Sequence, residues 1–173
     1  MAVFTYETTG YTLSLEVNET GTSVSNNTST VSWAVKLSAK SGWGFSQHSF
    51  GYLVKLNGVT VAELVRVAYQ NQLTLGSGKT ITIISGTSEV AHNADGTLNG
   101  MVAYAELDCA SLTYLPDGIN VSGTINLTPV SRGTVYIDNG SSFEAYQVYI
   151  DNGSSWDLYI PYIDNGSSWE LYS

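Results

Sequence analysis

Tyr11, Leu13, Leu15 and Val17 alternate with Thr12, Ser14 and Glu16, and 20 residues further on Val31, Trp33, Val35 and Leu37 alternate with Ser32, Ala34 and Lys36. Successive side chains of a strand point to opposite faces, so each run makes a strand with one dry and one wet side. Ile119, Val121, Ile125 and Leu127 repeat the pattern with Gly123 between them. Thr80 to Ile84 and Gly100 to Leu107 add further strands. Phe50 to Leu56 and Val59 to Val67 flank Asn57-Gly58. That dipeptide tolerates the positive φ of a type I′ hairpin turn, which sets Leu56 opposite Val59 and Val54 opposite Val61. Residues 61 to 69, VAELVRVAY, are the best helix candidate, but the β-branched run after a hairpin turn favours strand. Seven to nine such strands predict an all-β chain whose first part is an antiparallel, immunoglobulin-like β-sandwich.

The charge is unevenly placed. The 173 residues carry 15 acids against 6 Lys and Arg, a net of −9. Up to Arg132 there are 9 acids and 6 bases, a net of −3, and beyond it 6 acids and no base. The tail also holds 6 of the 12 Tyr and 2 of the 4 Trp. The composition therefore changes near residue 132, which divides the chain into a sandwich (1–132) and an appendage (133–173). The acidity argues against nucleic-acid binding, which needs clustered Lys and Arg. No 18-residue apolar run offers a membrane span. The start, MAVFTYETTGYTLSL, has no basic segment ahead of an apolar one and reads as no secretory signal, so the expected place of synthesis is a cytoplasm. The single Cys109 leaves no internal disulfide.

The appendage is three copies of a 13-residue repeat: VYIDNGSSFEAYQ (135–147), VYIDNGSSWDLYI (148–160) and PYIDNGSSWELYS (161–173). Nine or more positions match in every pair. Asn139-Gly140, Asn152-Gly153 and Asn165-Gly166 each read as a two-residue hairpin turn. That register pairs Asp138 with Ser141 and sets Tyr136 opposite Phe143, Tyr149 opposite Trp156 and Tyr162 opposite Trp169. A strand between two turns pairs on both sides, so the copies predict a four-stranded meander. One side chain row would hold Tyr146, Tyr159 and Tyr172, interleaved with Glu144, Asp157 and Glu170.

Chemistry-bearing groups are few. His92 and Asp95 are the right residue types for an acid–base pair or two metal ligands. No nucleophile motif or third ligand accompanies them, so they read as a loop in which Asp95-Gly96 turns the chain and His92 bonds locally. His48 reads as a loop residue or partner contact. The Asp-Asn-Gly triplets offer one carboxylate each, where calcium needs about 6–8 oxygens, so they read as turns. No catalytic residue, metal or cofactor is expected, and the chain is read as a non-enzyme. Tyr146, Trp156, Tyr159, Trp169 and Tyr172 are the candidate contacts, either to sister subunits or stacked on sugar.

Three segments carry a resemblance. They are Asn27-Thr-Ser29-Thr-Val31 leading into the strand to Leu37, the hairpin Val54-Lys-Leu-Asn57-Gly58-Val, and Val90-Ala-His92-Asn-Ala-Asp95-Gly96-Thr97, followed about 30 residues later by Ile125-Asn-Leu127-Thr-Pro-Val-Ser-Arg132. In order and spacing they resemble a domain of structural proteins of tailed phages (siphoviruses) that infect Gram-positive bacteria. The closing segment of that family reads closer to Leu-Thr-x-Ile-Pro-Arg, and here Pro129 sits earlier. The tail resembles terminal aromatic-Ile-Asp-Asn-Gly-Ser-Ser-Trp repeats of similar minor structural proteins. The resemblance implies a virion protein of the tail tip or baseplate, or one decorating the head. Its implied partners are copies of itself, other virion proteins and a host cell-surface glycan. The alternative reading is a free carbohydrate-binding module that recognises cell-surface polysaccharide.

Overall fold

The alternating runs become long strands because each has one side chain row that water can be removed from. In the computed structural model, strands β1 (Ala2–Glu7), β2 (Tyr11–Ser23), β3 (Thr28–Ala39), β4 (Phe45–Leu56), β5 (Val59–Leu64), β6 (Gln72–Leu75), β7 (Thr80–Ala91), β8 (Met101–Cys109) and β9 (Ile119–Ile125) follow in order. The structure describes residues 1–94, 96–109, 112, 114–130, 135–138, 141, 143–146, 149–151, 154, 156–158, 162–164 and 169–171. The chain forms two compact units, Met1–Pro129 and Val130–Ser173.

The first unit is an all-β sandwich, as expected. One antiparallel sheet runs β1-β2-β3-β7 and the other β5-β4-β8-β9, with β6 also paired to β4. The core lies between them. Leu13 and Leu15 of β2 and Val31, Val35 and Leu37 of β3 are fully buried, and they meet Val54, Leu56, Met101, Ala103, Ala105 and Leu107 of the second sheet. The β2–β3 register places Leu13 opposite Leu37, Leu15 opposite Val35 and Val17 opposite Trp33, so the two apolar rows fall on one face. At Gly123 the approach is closest: a Cβ there would overlap the Phe4 ring, which ties β1 to β9.

The hairpin at Asn57-Gly58 forms as predicted, with φ of 48° and 81° at its two tip residues and Leu56 opposite Val59. Two pairs further the prediction fails. A bulge between Val54 and Lys55 sets Val54 opposite Ala62 instead of Val61. The extra residue is taken up locally, which turns the strand and increases its twist. β5 ends at Leu64, so residues 65–69 are neither the strand expected through Val67 nor a helix. β4 begins at Phe45, five residues before the alternation becomes visible, because a bulge near Gln47 (φ 55°) breaks the period.

The second unit holds β10 (Val135–Asp138) with β11 (Phe143–Tyr146), β12 (Tyr149–Asp151) with β13 (Trp156–Leu158), and β14 (Tyr162–Asp164) with β15 (Trp169–Leu171). The hairpins exist, but their register corrects the two-residue turn. Asp138 pairs with Phe143, Asp151 with Trp156 and Asp164 with Trp169, so four residues lie between the paired ends. Tyr136 is therefore opposite Ala145, Tyr149 opposite Leu158 and Tyr162 opposite Leu171, not opposite Phe143, Trp156 and Trp169. Serine bonds readily to nearby backbone and pairs poorly in strands, so the ladder starts at the first aromatic residue after Ser-Ser. The four-stranded meander is also corrected: among the described residues the copies form three separate two-stranded sheets. The nine residues from Phe143 to Asp151 are divided between hairpins, with 143–146 paired backward and 149–151 paired forward. The proposed turn residues Asn139, Gly140, Asn152, Gly153, Asn165 and Gly166 lie outside the described residues.

Gly86 sits opposite Trp33 in the β3–β7 ladder, and a Cβ added there would lie 2.6 Å from Cζ2 of the Trp33 ring. Gly21 has open space around the same position. Gly86→Ala should therefore cost about 1–3 kcal/mol in urea unfolding by overpacking. Gly21→Ala should stay within about 0.5 kcal/mol of the parent. Equal effects of the two substitutions would show that the indole does not fill the glycine gap.

Candidate functional site

Two places in the sandwich gather polar side chains. The first centres on the buried Ser29 and His92, with Glu19 half-buried and Thr128 exposed at its rim, and joins three of the segments singled out in the sequence. Glu19 extends from β2, Ser29 from β3, and His92 follows the end of β7. Ser29 Oγ donates to Glu19 Oε1 at 2.6 Å and lies 2.7 Å from His92 Nε2. His92 Nδ1 is 2.8 Å from the Gly96 carbonyl, which can only accept, so this nitrogen carries the hydrogen. The His92 amide donates to the Asn27 carbonyl at 2.9 Å, and Asn27 Nδ2 donates to the Asn93 carbonyl at 2.9 Å. Glu19 also accepts from the Thr128 hydroxyl at 2.7 Å and from its amide at 3.0 Å.

A carboxylate, a hydroxyl and an imidazole thus touch in sequence, but not in the order that activates a nucleophile. In a hydrolytic triad the carboxylate orients the far nitrogen of the imidazole. Here that nitrogen holds a backbone carbonyl and the carboxylate holds the serine. Ser29 has 0% exposure, so no substrate reaches its oxygen. The cluster is a clasp. It binds the 92–96 loop to β3 and fixes Thr128, where the chain leaves the sandwich. His92 bonds locally to Gly96, as the sequence implied, while its bond to Ser29 across 63 residues was not legible. Gly96 has φ 78° and its amide donates to the Asn93 carbonyl at 2.9 Å, so it does turn the chain. Asp95 lies outside the described residues.

The clasp sets the acidity of Glu19. Burial pushes this carboxyl upward, but the hydrogen bonds from Ser29 and Thr128, together with the nearby His92 ring, outweigh it and hold the group below its ordinary 4.5.

The second place is a recess of about 340 Å³ at the edge of the other sheet, lined by Gln47, His48, Ser49, Arg66, Ala68, Tyr69 and Gln72. His48 belongs to β4, and its ring stands edge-on to Phe45 with centroids 5.6 Å apart. It is thus a strand residue, not the loop residue expected. Arg66 is held by Asp108 of β8, with Nε 2.9 Å from Oδ2. Tyr69 is 90% exposed. Sequence reasoning missed this recess because its residues come from two bulged or irregular segments with no visible period.

Cys109 is buried, and burial together with the nearby Asp117 and Asp108 pushes its thiol up to about 11, so it is a packed side chain rather than a nucleophile. Tyr104 donates to Glu106, and its phenol is pushed up to about 12 by burial and by that carboxylate. Among the described residues, no three or more His, Cys, Asp or Glu gather as metal ligands. Of the tail contacts expected from sequence, Tyr146 pairs in register with Val135, Trp156 with Asp151 and Trp169 with Asp164. Tyr159 and Tyr172 lie outside the described residues.

Fold and clusters together define an all-β sandwich protein with a hairpin-repeat appendage. The model of the family described as "Siphovirus protein of unknown function (DUF859)" matches residues 1–155, and the chain belongs to that family. The match covers the whole sandwich, the first repeat and more than half of the second. No curated protein matches the chain.

The clasp makes a pH-dependent contribution with a definite sign. A carboxyl held low when folded takes up its proton more readily when unfolded. Its stabilisation is complete above 4.5 and is lost as pH falls through the lower, folded value. Melting temperature should fall below that pH in the parent chain, and Glu19→Gln should start lower and lose less over the same interval. Ser29→Ala should cost about 1–3 kcal/mol at neutral pH by taking from the buried His92 its Nε2 partner. Identical acid profiles for parent and Glu19→Gln, from thermal scans between pH 3 and pH 7, would remove Glu19 from this role.

Proposed function

We propose that the protein is a non-enzymatic structural component of a siphovirus particle, in the tail tip or baseplate or on the head, that self-associates and presents its acidic hairpins outward. Membership of a siphovirus family over residues 1–155 carries the reading. The Glu19–Ser29–His92 cluster adds support, since its polar atoms are spent on holding strands and the chain exit together. Self-association rests on the tail. Among the described residues each repeat forms a two-stranded sheet of three or four pairs, and an isolated ribbon of that size is marginal in water. Repeated Tyr and Trp residues are the side chains that most often anchor interfaces.

Contact with the host surface follows from the same features. Three copies of an aromatic hairpin per chain, multiplied by the subunits of an assembly, turn weak contacts into useful avidity. Partners in this reading are sister subunits, neighbouring virion proteins and a cell-surface glycan.

Sedimentation of the full chain and of a chain ending at Arg132 separates the possibilities. The full chain should sediment as an oligomer and the shortened chain as a monomer. Two monomers would sink the assembly reading. Labelled electron microscopy of particles should place the protein on the virion surface, and its absence there would remove the structural role.

A further inference from the structure

The recess at Gln47, His48, Arg66, Tyr69 and Gln72 is built by an interruption in the second sheet. Along one edge of β4, the residues Phe45 to Ser49 pair with β6 and Tyr52 to Leu56 pair with β5. β5 and β6 therefore occupy the same edge in line, and residues 65–71 leave the sheet between them. The departure is fixed at both ends. At Gly51 a Cβ would lie 2.6 Å from the Leu64 carbonyl oxygen and 2.7 Å from the Arg66 nitrogen, so only glycine lets this backbone come so near β4. At the other end the Phe50 amide donates to the Asn71 carbonyl at 3.3 Å.

Backbone strain gathers here. Gln47, Tyr69 and Asn71 have φ of 55°, 62° and 45°, a conformation that costs a side-chain-bearing residue free energy. Strain of this kind is kept where it aims a side chain, and here it holds Tyr69 at 90% exposure beside the recess. His48 is set by a run of rings, since Phe45 packs on it at 5.6 Å and on Tyr11 at 5.9 Å. The frame is thus pre-organised, while its tip is an aromatic ring open to water.

The chemistry of the lining selects the ligand. Gln47 and Gln72 each carry a donor and an acceptor, as hydroxyl groups do. Arg66 is already matched by Asp108 at 2.9 Å, and no carboxylate lines the recess, so a charged ligand gains little there. The volume, about 340 Å³, sits at the small end of ligand pockets. We propose that this recess binds one pyranose unit of a neutral polysaccharide, with the apolar face of the ring on Tyr69 and its hydroxyls bonded to Gln47, His48 and Gln72. The proposal rests on the host-contact part of the function above, and it places sugar recognition on the sandwich instead of the tail.

Saturation-transfer NMR on the full chain, with glucose, galactose, N-acetylglucosamine and rhamnose as probes, tests it. At least one sugar should receive saturation, and Tyr69→Ala should weaken its binding about tenfold, with Gln72→Ala acting in the same direction. Unfolding midpoints should stay at the parent value, because Tyr69 contributes no core packing. Binding that survives Tyr69→Ala but is lost in Trp156→Ala or Trp169→Ala would overturn this site and leave the glycan role with the tail. No transfer to any of the four sugars from the parent chain at about 10 mM would overturn the site, while the sedimentation result would still decide the structural role.

Discussion

The interlocked apolar rows of β2 and β3 are the contact on which the sandwich depends. Leu13, Leu15 and Leu37 have no exposure, and each contributes about 1.5–3 kcal/mol on burial. Because the side chain period is two, a one-residue slip of either strand would turn every one of them to water. The register is thereby fixed, and the outward rows are free to be polar. They are mostly Ser and Thr, with the Lys36–Glu16 pair at 2.6 Å among them. The low charge of the sandwich follows: a wet sheet face needs hydrogen-bonding groups, not ions. The partly exposed Lys36–Glu16 pair adds little to stability at such a surface.

The second sheet lacks that uniformity. β4 is long enough to serve two partners on one edge, so the sheet carries a seam where β6 gives way to β5. A seam is where backbone can leave the ladder without breaking the core, since Val54 and Leu56 remain fully or almost fully buried on the inner face. The regular half of the molecule supplies stability, and the irregular half has the freedom to aim Tyr69 and to hold Arg66 against Asp108.

Legibility in the sequence followed the same division. The stripes at Tyr11–Val17 and Val31–Leu37 were readable because burial imposes strict alternation on them. The Asn57-Gly58 turn was readable because its two positive φ values demand those residues. Bulges were not. Nothing in Phe45-Ser-Gln-His-Ser marks the extra residue that hides the start of β4. Nothing in Val59-Thr-Val-Ala-Glu-Leu shows that Val54 meets Ala62. The clasp was invisible for another reason. His92, Ser29 and Glu19 are brought together by folding from separate strands, and their bonds depend on distances of tenths of an ångström. Residues 65–67 looked like strand because their Val residues favour strands, while the close approach at Gly51 that ends the strand comes from elsewhere in the chain.

The same dipeptide gives two loops in this protein, and its neighbours explain why. Between Leu56 and Val59, Asn57-Gly58 is flanked by residues that pair well at once, and the turn closes over two residues. In the repeats Asn-Gly is followed by Ser-Ser, and pairing waits for Phe143, Trp156 or Trp169. Four of the thirteen residues of each copy lie between its paired ends, and the strands on either side of them pair with each other. Among the described residues a copy pairs only with itself. In that register each copy supplies both strands of its own hairpin, together with two acids and a set of aromatics. A tail built that way varies its number of contacts by copy number, which is the property that an assembly or adhesion surface with weak individual contacts requires.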